Sequence, residues 1–179
     1  MSLIINNFLP QEDYKLLHNW FHKTGTLSWC LETSTLCEEN DNKFMFVQKV
    51  EMSEYMTNPN WLKFWDRLAK HIGQIERISR VKVNLYTNQG KIIEHTSHID
   101  RIGDSFPKGR GFTAVMNLTT CNGYTVLKEK ETKKILSKEN DLIVFDTGTY
   151  HYGAVQDDEP FRIVVNINGD TVNNHSLGD

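Results

Sequence analysis

From residue 80 onward the chain breaks into short stretches rich in β-branched and aromatic residues, each closed by turn formers. This pattern restricts the fold more than any other feature. The stretches are 80–87, 92–100, 112–118, 123–129, 133–136, 142–146 and 160–168. Two of them alternate clearly. Val81, Val83 and Leu85 share one face of a strand, with Asn84 and Tyr86 on the other; Phe161, Ile163, Val165 and Ile167 oppose Arg162, Val164 and Asn166. A polar strand face is ordinarily solvated. The alternative is that it lines a polar cavity, and that requires a chemical reason.

The residues before 80 read differently. Behind an apolar start at Leu3–Ile5, Pro10 opens a segment in which Tyr14, Leu17, Trp20 and Phe21 recur at helical spacing, predicting a helix over 10–23. Trp61, Phe64, Trp65, Leu68, Ile72 and Ile75 form a second stripe and predict a helix over 59–78, both stripes facing a core. Between them, 44–52 reads as a strand after an acidic, loop-like 38–42. Helices first and strands after give an α+β plan, with helices covering one face of a β-sandwich or barrel. The 179 residues contain no repeat or Pro/Gly-rich linker, so one domain over 1–179 is expected: 1–79 as N-terminal support, 80–168 as the β core and 169–179 as a tail.

Charge and cysteine content narrow the function. A net charge of −3 supplies no excess of Lys and Arg to track a phosphate backbone, which argues against nucleic acid as a partner. No basic leader or long apolar run is present, so a cytoplasmic protein with no membrane span is expected. Cys30, Cys37 and Cys121 are odd in number and lack CxxC spacing, which fits reduced thiols and no zinc cluster.

The chemical reason for a polar cavity lies at His98-Ile99-Asp100. Residues i and i+2 on an extended chain project to one side, so an imidazole and a carboxylate can chelate one ion. Spacing alone is weak, since about 0.4 such pairs arise by chance in this composition. A third ligand is available in His151, just past the apolar strand Leu142–Phe145. Two imidazoles and one carboxylate leave one face of an octahedral Fe(II) open to other ligands. Arg162 follows at the start of the next strand. Pointing inward, its guanidinium would need a carboxylate; pointing outward, it would pair with Asp157, Asp158 or Glu159.

Taken in order, these motifs resemble the Fe(II)/2-oxoglutarate-dependent dioxygenase superfamily, in its prolyl 4-hydroxylase-like branch. The resemblance spans nearly the whole chain. It is carried by Ile4 to Leu17, Tyr86 to Gly90, His98-Ile99-Asp100, Phe112 to Leu118, Gly123-Tyr124-Thr125 as a glycine turn, Asn140 to Phe145 leading to His151, and Arg162 to Asn166. It implies a double-stranded β-helix, or distorted jelly roll, binding Fe(II) through His98, Asp100 and His151, with 2-oxoglutarate and O2 as co-substrates. It implies that Arg162 binds the far carboxylate of 2-oxoglutarate and that Tyr86 hydrogen-bonds it. Asn117 stands where the family often has a tyrosine, and Asn84 and Asn166 are further candidates for the co-substrate. His95, of opposite parity to His98, reads as a surface or supporting residue, with replacement of His98 as the metal ligand as the lesser alternative. His18, His22, His71 and His175 read as ordinary polar residues, and 101–111 as a substrate-facing or plain surface loop.

The implied reaction is hydroxylation of a C–H bond, in a peptidyl prolyl-type or small-molecule substrate, with release of succinate and CO2. Two alternatives stand beside it. One is a nucleic-acid dealkylating oxygenase of the same superfamily, whose second arginine after Arg162 is absent. The other is a non-catalytic cupin-like jelly-roll binding module.

Overall fold

Short strands need partners, and the chain supplies them by antiparallel pairing in two sheets. In the computed structural model, which describes residues 2–23, 28–33, 43–100 and 109–174, the elements are β1 (Leu3–Ile5), α1 (Gln11–Lys23), β2 (Cys30–Glu32), β3 (Met45–Lys49), α2 (Met52–Thr57), α3 (Pro59–Ile72) and β4 (Ile75–Thr87). They continue with β5 (Ile93–Glu94), β6 (Gly111–Asn117), β7 (Cys121–Lys128), β8 (Thr132–Ser137), β9 (Leu142–Asp146), β10 (Tyr150–Val155) and β11 (Phe161–Thr171). A seven-stranded sheet runs β1-β9-β6-β11-β4-β3-β2 and a four-stranded sheet β5-β10-β7-β8. This is the jelly-roll plan expected from the sequence.

Alternation along β4 and β11 decides what lies on each side of the large sheet. Val81 and Val83 of β4, with Ile163, Val165 and Ile167 of β11, join Ala114, Met116 and Val144 under the helices. There α1 contributes Tyr14, Leu17 and Phe21, and α3 contributes Trp61, Phe64, Leu68 and Ile72. Each large apolar side chain fully buried there stabilises the fold by roughly 1.5–3 kcal/mol. The opposite face meets the small sheet in a second cluster that includes Tyr86, Val115, Leu127, Ile143, Phe145, Val155 and Val164.

Several boundaries differ from the sequence reading. The second helix stops at Ile72 rather than 78, because Gly73 follows with φ +90 and β4 begins at Ile75. At its start, Asn58 caps by accepting from the Asn60 N–H at 2.9 Å and Pro59 occupies the first turn. The strand expected over 44–52 ends at Lys49 and gives way to α2. Residues before 80 also do more than support the core: β1, β2 and β3 are members of the large sheet, and β11 runs on to Thr171. The segment expected as a strand over 92–100 is regular only at Ile93–Glu94, then continues to an isolated bridge between His98 and His151. Residues 38–42, Cys37, residues 101–108 and His175 lie outside the described residues. Among the described residues, Cys30 and Cys121 are free thiols, and no helix is long and apolar enough to cross a membrane.

Candidate metal and co-substrate site

Between the two sheets lies a cavity of about 170 Å³ whose walls include His98, Asp100, His151, Tyr86 and Arg162. The polar faces of β4 and β11 therefore line a cavity. His151 stands on β10, and its backbone exchanges hydrogen bonds with His98 at 2.8 and 2.9 Å. That exchange sets the two imidazoles side by side, ring centroids 4.5 Å apart. Asp100 follows two residues on and turns its carboxylate to both: His98 Nε2 lies 3.8 Å from Oδ1 and His151 Nε2 lies 3.6 Å from Oδ2. One side-chain nitrogen or oxygen of each of the three, atoms able to ligate a metal, lies within 4.8 Å of the others.

The protonation of this cluster follows from its contacts. Nδ1 of His98 is 3.1 Å from the Thr96 carbonyl and Nδ1 of His151 is 3.0 Å from the Thr149 carbonyl. A carbonyl only accepts, so each ring carries a proton on Nδ1 and turns its Nε2 toward the centre. Burial lowers the His151 pKa and keeps that ring neutral, although Asp100 opposes it. Burial would raise the Asp100 pKa, but His151, Arg80, the Asn168 hydrogen bond and His98 together hold it well below the ordinary carboxylate range. The carboxylate is oriented by Arg80 Nη2 on Oδ1 at 3.0 Å and by Asn168 Nδ2 and Thr113 Oγ1 on Oδ2 at 3.0 and 3.2 Å. Among the described residues His151 Nε2 is buried without a hydrogen-bond partner. A buried acceptor left open is costly unless a ligand completes it. The donor set, two imidazoles and an ionised carboxylate, fits a divalent metal with an open face.

At another part of the cavity Arg162 is 1% exposed, and among the described residues no carboxylate pairs with it. Nη1 donates to the Ala154 carbonyl at 3.1 Å and Nη2 to Thr125 Oγ1 at 3.0 Å, and the guanidinium carbon lies 5.6 Å from the centroid of the Tyr86 ring. The outward alternative is excluded: Asp157 and Asp158 instead accept from Asn122. Gly123, expected in a turn, lies within β7 at an irregularity, where a Cβ would come within 2.8 Å of Arg162 Cδ. Gly153 leaves open space beside the site, since a Cβ there would stand 3.4 Å from both Arg162 Nη1 and the Tyr86 hydroxyl. Burial pushes the Tyr86 phenol up despite the opposing Arg162 charge, so the hydroxyl stays a donor. A buried cation, a phenol and vacant room beside them fit a carboxylate.

The other expected residues divide. Asn84 lines the cavity and donates to the Tyr86 hydroxyl at 3.3 Å. Asn166 lies at the metal end, its Nδ2 3.4 Å from Asp100 Oδ2. Asn117 is buried but is not on the cavity wall; its Oδ1 accepts from Ser137. Of the two readings of His95, the surface one is corrected: it is buried on the cavity wall, its ring 5.1 Å from that of Tyr86. Arg80, Thr113, Thr125 and Asn168 were missed. Parity held the signal for two of them, because Arg80 shares the face of Asn84 and Tyr86, and Asn168 that of Arg162 and Asn166.

No protein-family model and no curated protein matches the sequence. Solved structures do match over nearly its whole length. A prolyl-4-hydroxylase from Pseudomonas putida superposes with a TM-score of 0.69 at 15% identity, covering 96% of this chain and 93% of that one. A viral collagen prolyl hydroxylase from Paramecium Bursaria Chlorella virus-1, solved with 2-oxoglutarate, gives 0.58 at 20% identity, covering 96% of each chain. An oxidoreductase of the 2-oxoglutarate–Fe(II) oxygenase family from Burkholderia pseudomallei gives 0.66 at 11% identity, covering 96% of this chain and 88% of that one. The chain thus has the jelly-roll fold of the 2-oxoglutarate–Fe(II) oxygenases, prolyl hydroxylases among them.

Proposed function

We propose that this protein is a Fe(II)- and 2-oxoglutarate-dependent dioxygenase that hydroxylates a C–H bond. One observation carries the reading: a single cavity holds a two-histidine, one-carboxylate cluster and a buried arginine that lacks a carboxylate among the described residues. His98, Asp100 and His151 would hold the iron, and Arg162 with Tyr86 the far carboxylate of 2-oxoglutarate, with Asn84 positioning the phenol. Bound iron, O2 and 2-oxoglutarate supply the oxidation, releasing succinate and CO2 and leaving one oxygen in the product.

The chain's own part is positioning. Thr96 and Thr149 fix both imidazole tautomers; Arg80, Thr113 and Asn168 fix the carboxylate. The apolar wall of Val115, Val164 and Met45 restricts water beside them. The primary substrate is a peptide with a prolyl-type residue or a small molecule. Nucleic acid is disfavoured by the net charge of −3 and the absence of any arginine after Arg162. A cytoplasmic setting is supported by the free thiols of Cys30 and Cys121. The intact ligand cluster weighs against a non-catalytic binding module. The test is succinate release from 2-oxoglutarate by iron-loaded protein in air, against Arg162→Leu and Asp100→Ala. Equal release from parent and both variants would refute the reading.

A further inference from the structure

The inward face of β4 carries Arg80, Lys82, Asn84 and Tyr86 in succession, and all four line the cavity. Tyr86 and Asn84 serve the Arg162 end. Arg80 is occupied, donating to Asp100, to Asn168 Oδ1 at 2.8 Å and to Asn166 Oδ1 at 3.5 Å. Lys82 is not occupied in this way. Its side chain is 14% exposed, and its one hydrogen bond among the described residues is a long one, 3.4 Å to Glu32. Glu32 sits at the end of the three-residue edge strand β2, its side chain 36% exposed. An ammonium has three donors, so a single long contact leaves most of its capacity open to the cavity. Across the pairing, Lys82 faces Asn166 on β11 and Lys49 on β3, so the neighbouring positions add another cation and no acid. Burial lowers the Lys82 pKa and the neighbouring Arg80 charge adds to this, while Glu32 and, less, Asp100 oppose it.

We propose that Lys82 is a second anion-binding position beside the metal cluster, and that the primary substrate presents a carboxylate to it, displacing Glu32. The inference rests on the oxygenase reading of the cavity. The co-substrate is a poor occupant. Lys82 lies four residues from Tyr86 along β4, about 13 Å of strand, while Arg162 pairs directly with Tyr86. A five-carbon diacid anchored at Arg162 places its other end at the metal, which leaves Lys82 for a different molecule. A small acid and the carboxyl-terminal end of a peptide both carry a carboxylate.

The experiment uses full-length protein loaded with Zn(II) and 2-oxoglutarate, titrated with pairs of N-acetyl amino acids and their amides and followed by backbone amide NMR. Each pair differs only by a carboxylate against a carboxamide. The acids are expected to shift signals around 80–84 saturably and to bind at least about tenfold more tightly than the amides. Lys82→Met, similar in length but uncharged, should abolish that preference, Lys82→Arg should keep it, and 2-oxoglutarate affinity should change less than about threefold in either. The parent comparison stands even if Lys82→Met does not fold. Acids that do not bind, or bind no better than amides, overturn the proposal, as does a preference that survives in folded Lys82→Met. A loss of 2-oxoglutarate affinity in Lys82→Met would assign the lysine to the co-substrate and overturn it too. Failure of the parent to bind Zn(II) and 2-oxoglutarate at all would instead remove the oxygenase reading, and the inference with it.

Discussion

Replacing Arg162 with leucine separates a co-substrate anchor from a structural arginine, because the two roles predict effects of different size on the unliganded protein. Leucine removes hydrogen bonds to the Ala154 carbonyl and Thr125 Oγ1, each worth about 1 kcal/mol. It also removes a buried charge with no carboxylate partner among the described residues, whose desolvation penalty is several kcal/mol. The unliganded variant should therefore lose no more than about 1 kcal/mol of stability. Toward 2-oxoglutarate the effect is large. Losing a charged, hydrogen-bonded partner in a desolvated site costs about 2–5 kcal/mol, a fall in affinity of roughly thirtyfold or more. At a 2-oxoglutarate concentration a hundredfold above the parent's Kd, the ligand should stabilise metal-loaded parent by about 2.7 kcal/mol and the variant by about 0.9 kcal/mol or less. Denaturant unfolding with and without 2-oxoglutarate reads both numbers. Ligand stabilisation equal to the parent's would refute the anchoring role, and a loss above about 3 kcal/mol without ligand would mark the arginine as structural.

The other predictions concern the ligands, the room made for the anchor, and the core. Asp100→Ala should bind divalent metal far more weakly while remaining folded, and His95→Ala, whose ring contacts Tyr86, should keep metal affinity; isothermal titration reads both. Gly123→Ala places a Cβ 2.8 Å from Arg162 Cδ and 2.9 Å from the Ala154 carbonyl, so it should weaken 2-oxoglutarate binding at least about tenfold with metal affinity retained. Phe64→Ala, at a fully buried site under the large sheet, should cost about 3–5 kcal/mol, seen as a lower denaturation midpoint at unchanged slope.

Alternation made much of this site legible. The parity of Val81–Tyr86 and of Arg162–Ile167 separates core from cavity residues, Phe161 at the strand end being 40% exposed, and His98, Asp100, His151 and Arg162 all line one cavity. The failures have local causes. Residues 150–155 form β10 through pairing with β5 and β7, while their own Gly153 and Ala154 give no strand signal, so His151 was placed past a strand rather than on one. The apolar stripe ending in Ile72 and Ile75 continues across Gly73, and periodicity alone carried the helix into what is β4; the glycine was the available stop signal. Parity misplaced His95 because 95–97 leaves regular strand geometry, so counting by two from His98 no longer reports direction. Thr125 gave no signal, since a threonine in a strand is unremarkable until Arg162 is seen to reach it across the sheets.

An anaerobic titration of metal-free protein with Fe(II) and 2-oxoglutarate, followed by visible absorption, tests the proposed iron and co-substrate site most directly. A metal-to-ligand charge-transfer band should grow only when both are present, saturate at one equivalent of iron, and be lost in Asp100→Ala. No band with both components present, or an unchanged band in folded Asp100→Ala, would contradict the assignment of this cavity to iron and 2-oxoglutarate.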